Sequence, residues 1–150
     1  MQLTQNRNET DPRVREIATR CRLDLEHLRR FPHAFSRVQR QRISIARALI
    51  CRPSFIVADE AVAALDVKIQ AEILELIKEL QKELGLTILF ISHDLSVIAS
   101  LCEQLLVMQH GKIVEQGPVE QIFLEPKEDY TRNLISAIPT LDNLGEINAS

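Results

Sequence analysis

Residues 55–94 read FIVADEAVAALDVKIQAEILELIKELQKELGLTILFISHD, and this stretch decides the fold. The continuous apolar run at 55–58 predicts a short strand buried on both faces. Apolar residues then recur at helical spacing over 67–84, and Gly85 supplies a C-terminal stop before a second buried strand at 86–92. A strand, a long helix and a strand predict a parallel sheet with a right-handed crossover.

Polar side chains follow both predicted strands. Asp59 and Glu60 end the first strand, and Ser92-His93-Asp94 ends the second. Functional groups of a parallel sheet gather at the carboxyl ends of its strands. One carboxylate there can hold a hydrated Mg²⁺ while the other orients a water for phosphoryl transfer, and an imidazole can hold a terminal phosphate. The alternative for each cluster is a solvated strand end.

The N-terminal third predicts helices. Residues 12–22 form a short helix, and Phe31-Pro32-His33 breaks the chain before a helix at 37–50. Ser36 followed three residues later by Gln39 is the capping-box pattern, so we expect ordered backbone N–H groups at the start of that helix.

The C-terminal third predicts a helix, a hairpin and further helices. The helix covers 94–101, and strands at 105–108 and 112–115 flank the turn at His110-Gly111. Gly117-Pro118 then opens a set of short helices.

Composition indicates a soluble domain of ordinary size. The chain has 150 residues, 45% of them apolar, and a net charge of −3. Its polar start does not resemble a secretory signal, and its apolar runs are far shorter than a membrane span, which predicts a cytoplasmic protein. The spacing of Cys21, Cys51 and Cys102 suits neither disulfides nor zinc, and we expect reduced thiols. Met108 is expected in the core, and His110 on the surface.

Charge is distributed unevenly along the chain. Residues 1–53 hold 12 arginines and 5 acids, whereas residues 54–150 hold 6 basic and 16 acidic side chains. A basic half is compatible with nucleic-acid binding, but its only aromatic side chains are Phe31 and Phe35. A helical layer with solvated arginines is the favoured interpretation.

The order of these motifs resembles the ATP-binding cassette (ABC) ATPases over residues 13–142. Four segments carry the resemblance. Phe35-Ser36 with Gln39-Arg40-Gln41-Arg42 looks like the signature motif and its helix, and residues 55–60 look like the Walker B strand. Ala64-Leu65-Asp66 looks like the D-loop, and Ile91-Ser92-His93-Asp94 contains the residue that looks like the switch histidine. Asp129-Tyr130-Thr131-Arg132 and residues 137–141 further resemble the ATPase subunits of dipeptide and oligopeptide importers.

The resemblance implies an α/β fold of the P-loop NTPase type, present in part. It has parallel strands with crossover helices, part of the helical signature subdomain, and a C-terminal hairpin with helices. The implied organisation is a polar tail at 1–12, a helical subdomain remnant at 13–50, a Walker B and switch core with the hairpin at 51–117, and an importer-type helical extension at 118–150.

The resemblance also implies ATP and Mg²⁺ as cofactors. Asp59 would hold Mg²⁺ through water, Glu60 would polarise the attacking water, and His93 would contact the γ-phosphate. Because the nucleotide lies between two head-to-tail ATPase subunits, the signature helix would serve the partner's nucleotide, as its N-terminal dipole suits an anion. The residues implied for that contact are Ser36, Arg37, Val38, Gln39 and, at the dimer seam, Asp66. For Asp66, capping of the helix at 67 is an equal alternative.

Three departures from the family and its importer subgroup are visible. No G-x-x-x-x-G-K-[ST] loop occurs in the 150 residues, so the groups that cradle β- and γ-phosphates are missing. Arg37 and Val38 replace the two signature glycines. Val38 restricts close approach of a phosphate, whereas Arg37 could add a charged contact to it, and impairment is the favoured interpretation. Ala61 and Ala63 stand where the subgroup has proline and serine. A catalytically inactive remnant or interaction module is therefore the alternative to a working ATPase subunit.

The implied partners follow from the importer subgroup. They are a second ATPase subunit, transmembrane permease subunits and, indirectly, a peptide-binding protein, with no nucleic acid. Attachment would be peripheral, on the cytoplasmic side of the membrane. The absence of any cysteine after Cys102 argues against an iron–sulfur cluster.

Overall fold

A computed structural model describes residues 11–26 and 35–138. The chain forms two compact units, one extending to Ile91 and the other beginning at Ser92. Within the described residues, no helix is both long enough and apolar enough to cross a membrane.

The first unit contains three helices and a parallel pair of strands. In chain order they are α1 (Pro12–Arg20), α2 (Arg37–Leu49), β1 (Phe55–Asp59), α3 (Val67–Leu84) and β2 (Thr87–Ile91). The strands pair from Phe55 with Thr87 through Asp59 with Ile91. The strand–helix–strand unit predicted from the sequence is confirmed.

The ends of α3 lie where the sequence predicts them. The Asp66 carboxylate accepts a 3.0 Å hydrogen bond from the backbone N–H of Ile69 and so caps the first turn. Gly85 follows the helix with φ of 62°, the left-handed conformation that lets the chain leave a helix without a Cβ clash. Asp66 thus has the capping role, and its place at a dimer seam stays a prediction.

The core of the first unit lies between its helices and the strands' inner face. Its buried members come from α1, α2, α3 and the segments that follow α1 and α3: Ile17, Ala18, Cys21, Leu23, Leu49, Leu76, Leu80 and Leu86. Helices α1 and α2 thus share one core with α3. The domain boundary expected between the helical subdomain remnant at 13–50 and the Walker B core at 51–117 stays a prediction.

The expectation that both strands are buried on both faces is wrong. Phe55 and Val57 are 51% and 52% exposed, and Leu89 and Ile91 are 39% and 44% exposed. These four side chains define an exposed sheet face. A run of apolar residues cannot show whether one layer or two cover a strand, and in the described chain helices cover only one side.

The second unit is a hairpin with short helices. Its elements are α4 (Leu95–Leu101), β3 (Gln104–Gln109), β4 (Lys112–Pro118), α5 (Val119–Leu124) and α6 (Asp129–Ser136). The antiparallel hairpin and its turn confirm the predicted elements, and Pro118, which ends β4, is also the N-cap of α5, so Gly117-Pro118 opens the short helices as expected. The expectation that Met108 is a core residue is wrong because it is 59% exposed, on the face opposite buried Leu105 and Val107. His110 is exposed as expected.

Several sequence expectations fall outside the described residues. They concern the polar tail through residue 10, the break at Phe31-Pro32-His33 and the importer-like residues 139–141. The predicted helix at 12–22 ends at Arg20, and Cys21 forms its C-cap.

Candidate functional site

The carboxyl end of β1 presents the two acidic residues singled out from the sequence. Asp59 is the last strand residue and is exposed. Glu60 follows with φ of 48°, in the left-handed region that costs a non-glycine residue about 1–2 kcal/mol. Its backbone N–H donates a 3.0 Å hydrogen bond to the carbonyl oxygen of Ile91. The ladder with β2 thus continues one residue past β1 and fixes the backbone of Glu60.

The loop from Glu60 to Asp66 is held by local hydrogen bonds. The N–H of Ala63 donates to the Glu60 carbonyl at 3.3 Å, and that of Leu65 donates to the Val62 carbonyl at 3.1 Å. The Val62 side chain is 2% exposed. The alanines at 61 and 63 therefore flank a buried valine, and the Glu60 N–H bond to Ile91 and the Asp66 cap fix the ends of the loop.

The N-terminus of α2 has the predicted capping box. Ser36 Oγ accepts a 3.2 Å hydrogen bond from the Gln39 N–H, and Gln39 Oε1 accepts a 2.9 Å hydrogen bond from the Ser36 N–H. The N–H groups of Arg37 and Val38 in the first turn have no acceptor within the helix. Together with the helix dipole and the exposed Arg37 side chain, they make this tip suitable for an anion.

A contact that sequence reasoning missed joins α2 to the loop after Glu60. Gln41 Nε2 donates a 2.6 Å hydrogen bond to the carbonyl oxygen of Ala61 in a partly buried position. The two residues are 20 positions apart, and periodicity carries no information on such a pairing. The only sequence signal for this contact is the position of Gln41 in the signature-like run Gln39-Arg40-Gln41-Arg42, which does not identify its partner.

The Ser92-His93-Asp94 segment begins the second unit. The Asp94 carboxylate caps α4 by accepting hydrogen bonds from the N–H groups of Ser96 at 2.9 Å and Val97 at 3.4 Å. Ser92 Oγ accepts a 3.0 Å hydrogen bond from the Asp94 N–H. Ser92 and Asp94 thus shape the turn, and His93 between them is exposed. Convergence of His93 with Asp59 and Glu60 stays a prediction.

The donor set at β1 limits how a metal could bind. Among the described residues, no group of three or more His, Cys, Asp or Glu side chains is arranged to hold a metal ion. Mg²⁺ usually keeps several waters and is bound through one or two carboxylates plus substrate phosphates. The exposed Asp59 fits a hydrated Mg²⁺ that arrives with a nucleotide, and does not fit a cage made of protein ligands alone.

Comparison with known proteins gives consistent results. A family model described as ABC transporter matches residues 1–63. The chain is 50% identical over 136 residues to the glutathione import ATP-binding protein GsiA of Pectobacterium atrosepticum, covering 91% of this chain and 22% of that protein. It is 49% identical over 140 residues to the oligopeptide transport ATP-binding protein OppF of Bacillus subtilis, covering 93% of this chain and 46% of that protein.

Solved structures agree with the sequence relatives. CbiO1 from Clostridium perfringens, part of the ABC transporter complex cbiONQ, matches with a TM-score of 0.69 and 33% identity, over 93% of this chain and 57% of that chain. The ATP-binding cassette MJ0796, in a dimeric post-hydrolysis state with ADP and Pi, matches with a TM-score of 0.61 and 28% identity, over 76% of this chain and 51% of that chain.

The chain spans about half or less of the length of these curated relatives. The similarity nevertheless covers both of its units, since more than nine-tenths of its length aligns with OppF and with cbiO1. Over almost its whole length the chain is therefore similar to ATP-binding proteins of ABC transporters, among them those of dipeptide and oligopeptide transport.

Proposed function

We propose that this chain is the part of an importer's ATP-binding subunit that carries the signature helix, the Walker B strand, the D-loop and the switch histidine. The importer takes up dipeptides or oligopeptides and couples that uptake to ATP hydrolysis. The observation that carries the proposal is the near 50% identity to GsiA and OppF across almost the whole chain. The α2 tip and the two acids at the end of β1, Asp59 and Glu60, supply groups suited to phosphate chemistry.

In this proposal the residues act on two sides of a nucleotide. Asp59 holds Mg²⁺ through water, and bound Mg²⁺ would neutralise charge on the phosphates. Glu60 accepts a hydrogen bond from the attacking water and polarises it, and His93 contacts the γ-phosphate. The α2 tip, with Ser36, Arg37, Val38 and Gln39, faces the nucleotide of a second ATPase subunit, and Asp66 lies at the seam between the subunits.

The phosphate cradle has to come from another polypeptide segment. The chain contains no G-x-x-x-x-G-K-[ST] sequence, so nothing in it supplies the backbone amides and lysine that hold β- and γ-phosphates. The exposed sheet face of Phe55, Val57, Leu89 and Ile91 is compatible with a further layer contributed by such a segment. Contacts with permease subunits would place the assembly on the cytoplasmic side of the membrane, with a peptide-binding protein on the other side.

The test is Mg²⁺-dependent ATP hydrolysis by the full chain assembled with a P-loop-bearing polypeptide. Glu60→Gln should abolish the activity, because the amide cannot take part in proton transfer from water. Glu75→Gln, an exposed position on α3, is the matched control and should leave the rate unchanged. Hydrolysis that survives Glu60→Gln would rule out Glu60 as the base.

A second candidate function is a binding module without turnover. It is favoured by Arg37 and Val38 at the α2 tip, because the Val38 side chain occupies space beside the backbone amides that a phosphate would approach. If it is correct, millimolar Mg-ATP gives no thermal shift of the chain, since a ligand stabilises only a state that binds it. A saturable thermal shift with Mg-ATP that becomes larger in the Arg37→Gly and Val38→Gly variants would argue for the ATPase instead.

A further inference from the structure

We propose that Gln41 is a positioning residue for the loop that carries Glu60. Its amide links the signature helix α2 to the backbone one residue beyond the proposed base. The structural part of this proposal stands alone, and its consequence for hydrolysis rests on the proposed function.

The contact is a close hydrogen bond. The distance from Gln41 Nε2 to the Ala61 carbonyl oxygen is 2.6 Å, just below the usual range of about 2.7–3.2 Å for an N–H donor, and the position is partly buried. Removing the donor from a partly buried carbonyl lowers the stability of the fold, because water replaces the lost partner incompletely. Alanine at position 61 has no ring to fix its φ angle. The hydrogen bond from Gln41 therefore helps to orient this peptide, together with the hydrogen bonds within the loop.

Helix α2 is itself anchored next to this contact. Arg42 Nη1 donates a 3.1 Å hydrogen bond to the Arg22 carbonyl, and its Nη2 lies 3.7 Å from a Glu72 carboxylate oxygen on α3. Leu49 at the end of α2 is 2% exposed within the core. Two neighbouring residues of α2 thus bond to three different parts of the unit: Gln41 to the loop, and Arg42 to the segment after α1 and to α3.

The loop is consequently tied at three places. Glu60 N–H is bonded to Ile91, the Ala61 carbonyl to Gln41, and Asp66 caps α3. Of the three ties, Gln41 alone belongs to the helix whose tip is Ser36. Gln41 and Ser36 are about 7–8 Å apart along the helix axis, because each residue adds a rise of about 1.5 Å. A displacement of the α2 tip by an anion would reach Ala61, and with it Glu60, through this bond.

Amide hydrogen exchange on the full chain tests the tie without any nucleotide. Gln41→Met keeps the length of the side chain and removes the donor, whereas Gln41→Lys keeps a donor. We expect Gln41→Met to accelerate exchange of the Ala63 and Leu65 N–H groups about tenfold. Gln41→Lys should retain most of the protection. Gln121→Met, on the exposed surface of α5, is the control and should change neither amide.

The outcomes separate this proposal from a packing role. If Gln41 only fills space, Gln41→Met keeps the protection and Gln41→Lys loses it, and that result would overturn the proposal. Far-UV circular dichroism checks that each variant is folded. A variant that unfolds is replaced by Gln41→Leu, for which faster exchange confined to the loop supports the tie and unchanged exchange refutes it.

A second measurement addresses the catalytic consequence. In the assembly with a P-loop-bearing polypeptide, Gln41→Met should lower kcat about tenfold and change KM for ATP less than twofold, because the nucleotide contacts remain. An equal kcat for Gln41→Met and the unsubstituted chain would refute positioning of Glu60. If the unsubstituted assembly has no ATPase activity, the proposed function fails, and hydrogen exchange still decides the tie.

Discussion

The backbone N–H of Glu60 donates to the carbonyl oxygen of Ile91 at 3.0 Å, while Glu60 itself has φ of 48°. The strand ladder thus holds a non-glycine residue in a conformation that disfavours a Cβ atom. Strain of this kind persists where surrounding contacts fix the backbone, and it is common at functional sites.

The strain at Glu60 predicts a difference between two substitutions that both remove the carboxylate. Glu60→Gly should have a free energy of unfolding about 1 kcal/mol higher than Glu60→Ala, because only glycine adopts a positive φ freely. Chemical denaturation measures both. Ala71→Gly in α3 is the control with the opposite sign and should destabilise by about 1 kcal/mol. An equal stability for the two variants at position 60 would show that the backbone relaxes.

The capping box predicts a specific loss at the start of α2. Ser36→Ala should lower the free energy of unfolding by about 1 kcal/mol, since the Gln39 N–H loses its acceptor. Ser44→Ala, on an exposed position of the same helix, should have no such cost because alanine has the higher helix propensity. Urea titration compares the two, and similar losses would argue against the cap.

The docking of α6 should depend on pH through Glu115. Its carboxylate accepts hydrogen bonds from the N–H groups of Lys127 at 2.9 Å and Glu128 at 3.2 Å. The Lys127 N–H is the main cause that holds the pKa of Glu115 below its usual value. The stabilisation is therefore complete above the unfolded pKa of about 4.3 and is lost as the pH falls through the lower folded pKa.

Tyrosine fluorescence can follow this transition, because Tyr130 on α6 is the only tyrosine and the chain has no tryptophan. Glu115→Gln should give the acid-state signal already at pH 7. Glu125→Gln, an exposed acid beyond α5, should leave the signal unchanged. A transition that persists unaltered in Glu115→Gln would assign it to another group.

The cysteines should differ widely in reactivity. Cys21 is fully buried, and burial raises the pKa of its thiol from 9.0 to about 11. Such a shift lowers the thiolate fraction at neutral pH about a hundredfold. Cys51 is exposed, so a thiol reagent should label it first. Mass spectrometry identifies the labelled site. All three thiols should react in about 6 M guanidinium, where the chain is unfolded. Early labelling of Cys21 would show that the α1–α3 core opens.

The exposed sheet face predicts binding of apolar probes. Val57 and Leu89 are register partners on this face. The double variant Val57→Thr with Leu89→Thr should reduce the fluorescence of a bound apolar dye and reduce self-association in sedimentation, because threonine lowers the exposed apolar area. Its circular dichroism should be unchanged, because threonine suits strands. Val107→Thr, in a 5% exposed position, should instead destabilise the fold by about 1–3 kcal/mol. Undiminished dye binding by the double variant would locate the apolar surface elsewhere.

Local patterns predicted the secondary structure well because their physical causes act over a few residues. The α2 capping box, the Asp66 cap and the left-handed Gly85 each involve groups within one or two turns. The apolar spacing of α3, together with the Asp66 cap and the Gly85 stop, predicted its bounds, because helical periodicity places the apolar residues on one face. The parallel pairing of β1 with β2 followed from the length of the helix between them.

What only the tertiary structure decided depends on neighbours that are distant in sequence. Apolar runs did not show that Val57 and Met108 are exposed, because burial requires a covering layer and not merely an apolar side chain. Similarly, Gln41 and Ala61 meet because α2 packs beside the loop after β1, and a single polar residue carries no record of its partner. The sequence by itself determined the elements and the kinds of groups they carry, whereas packing determined which of those groups touch.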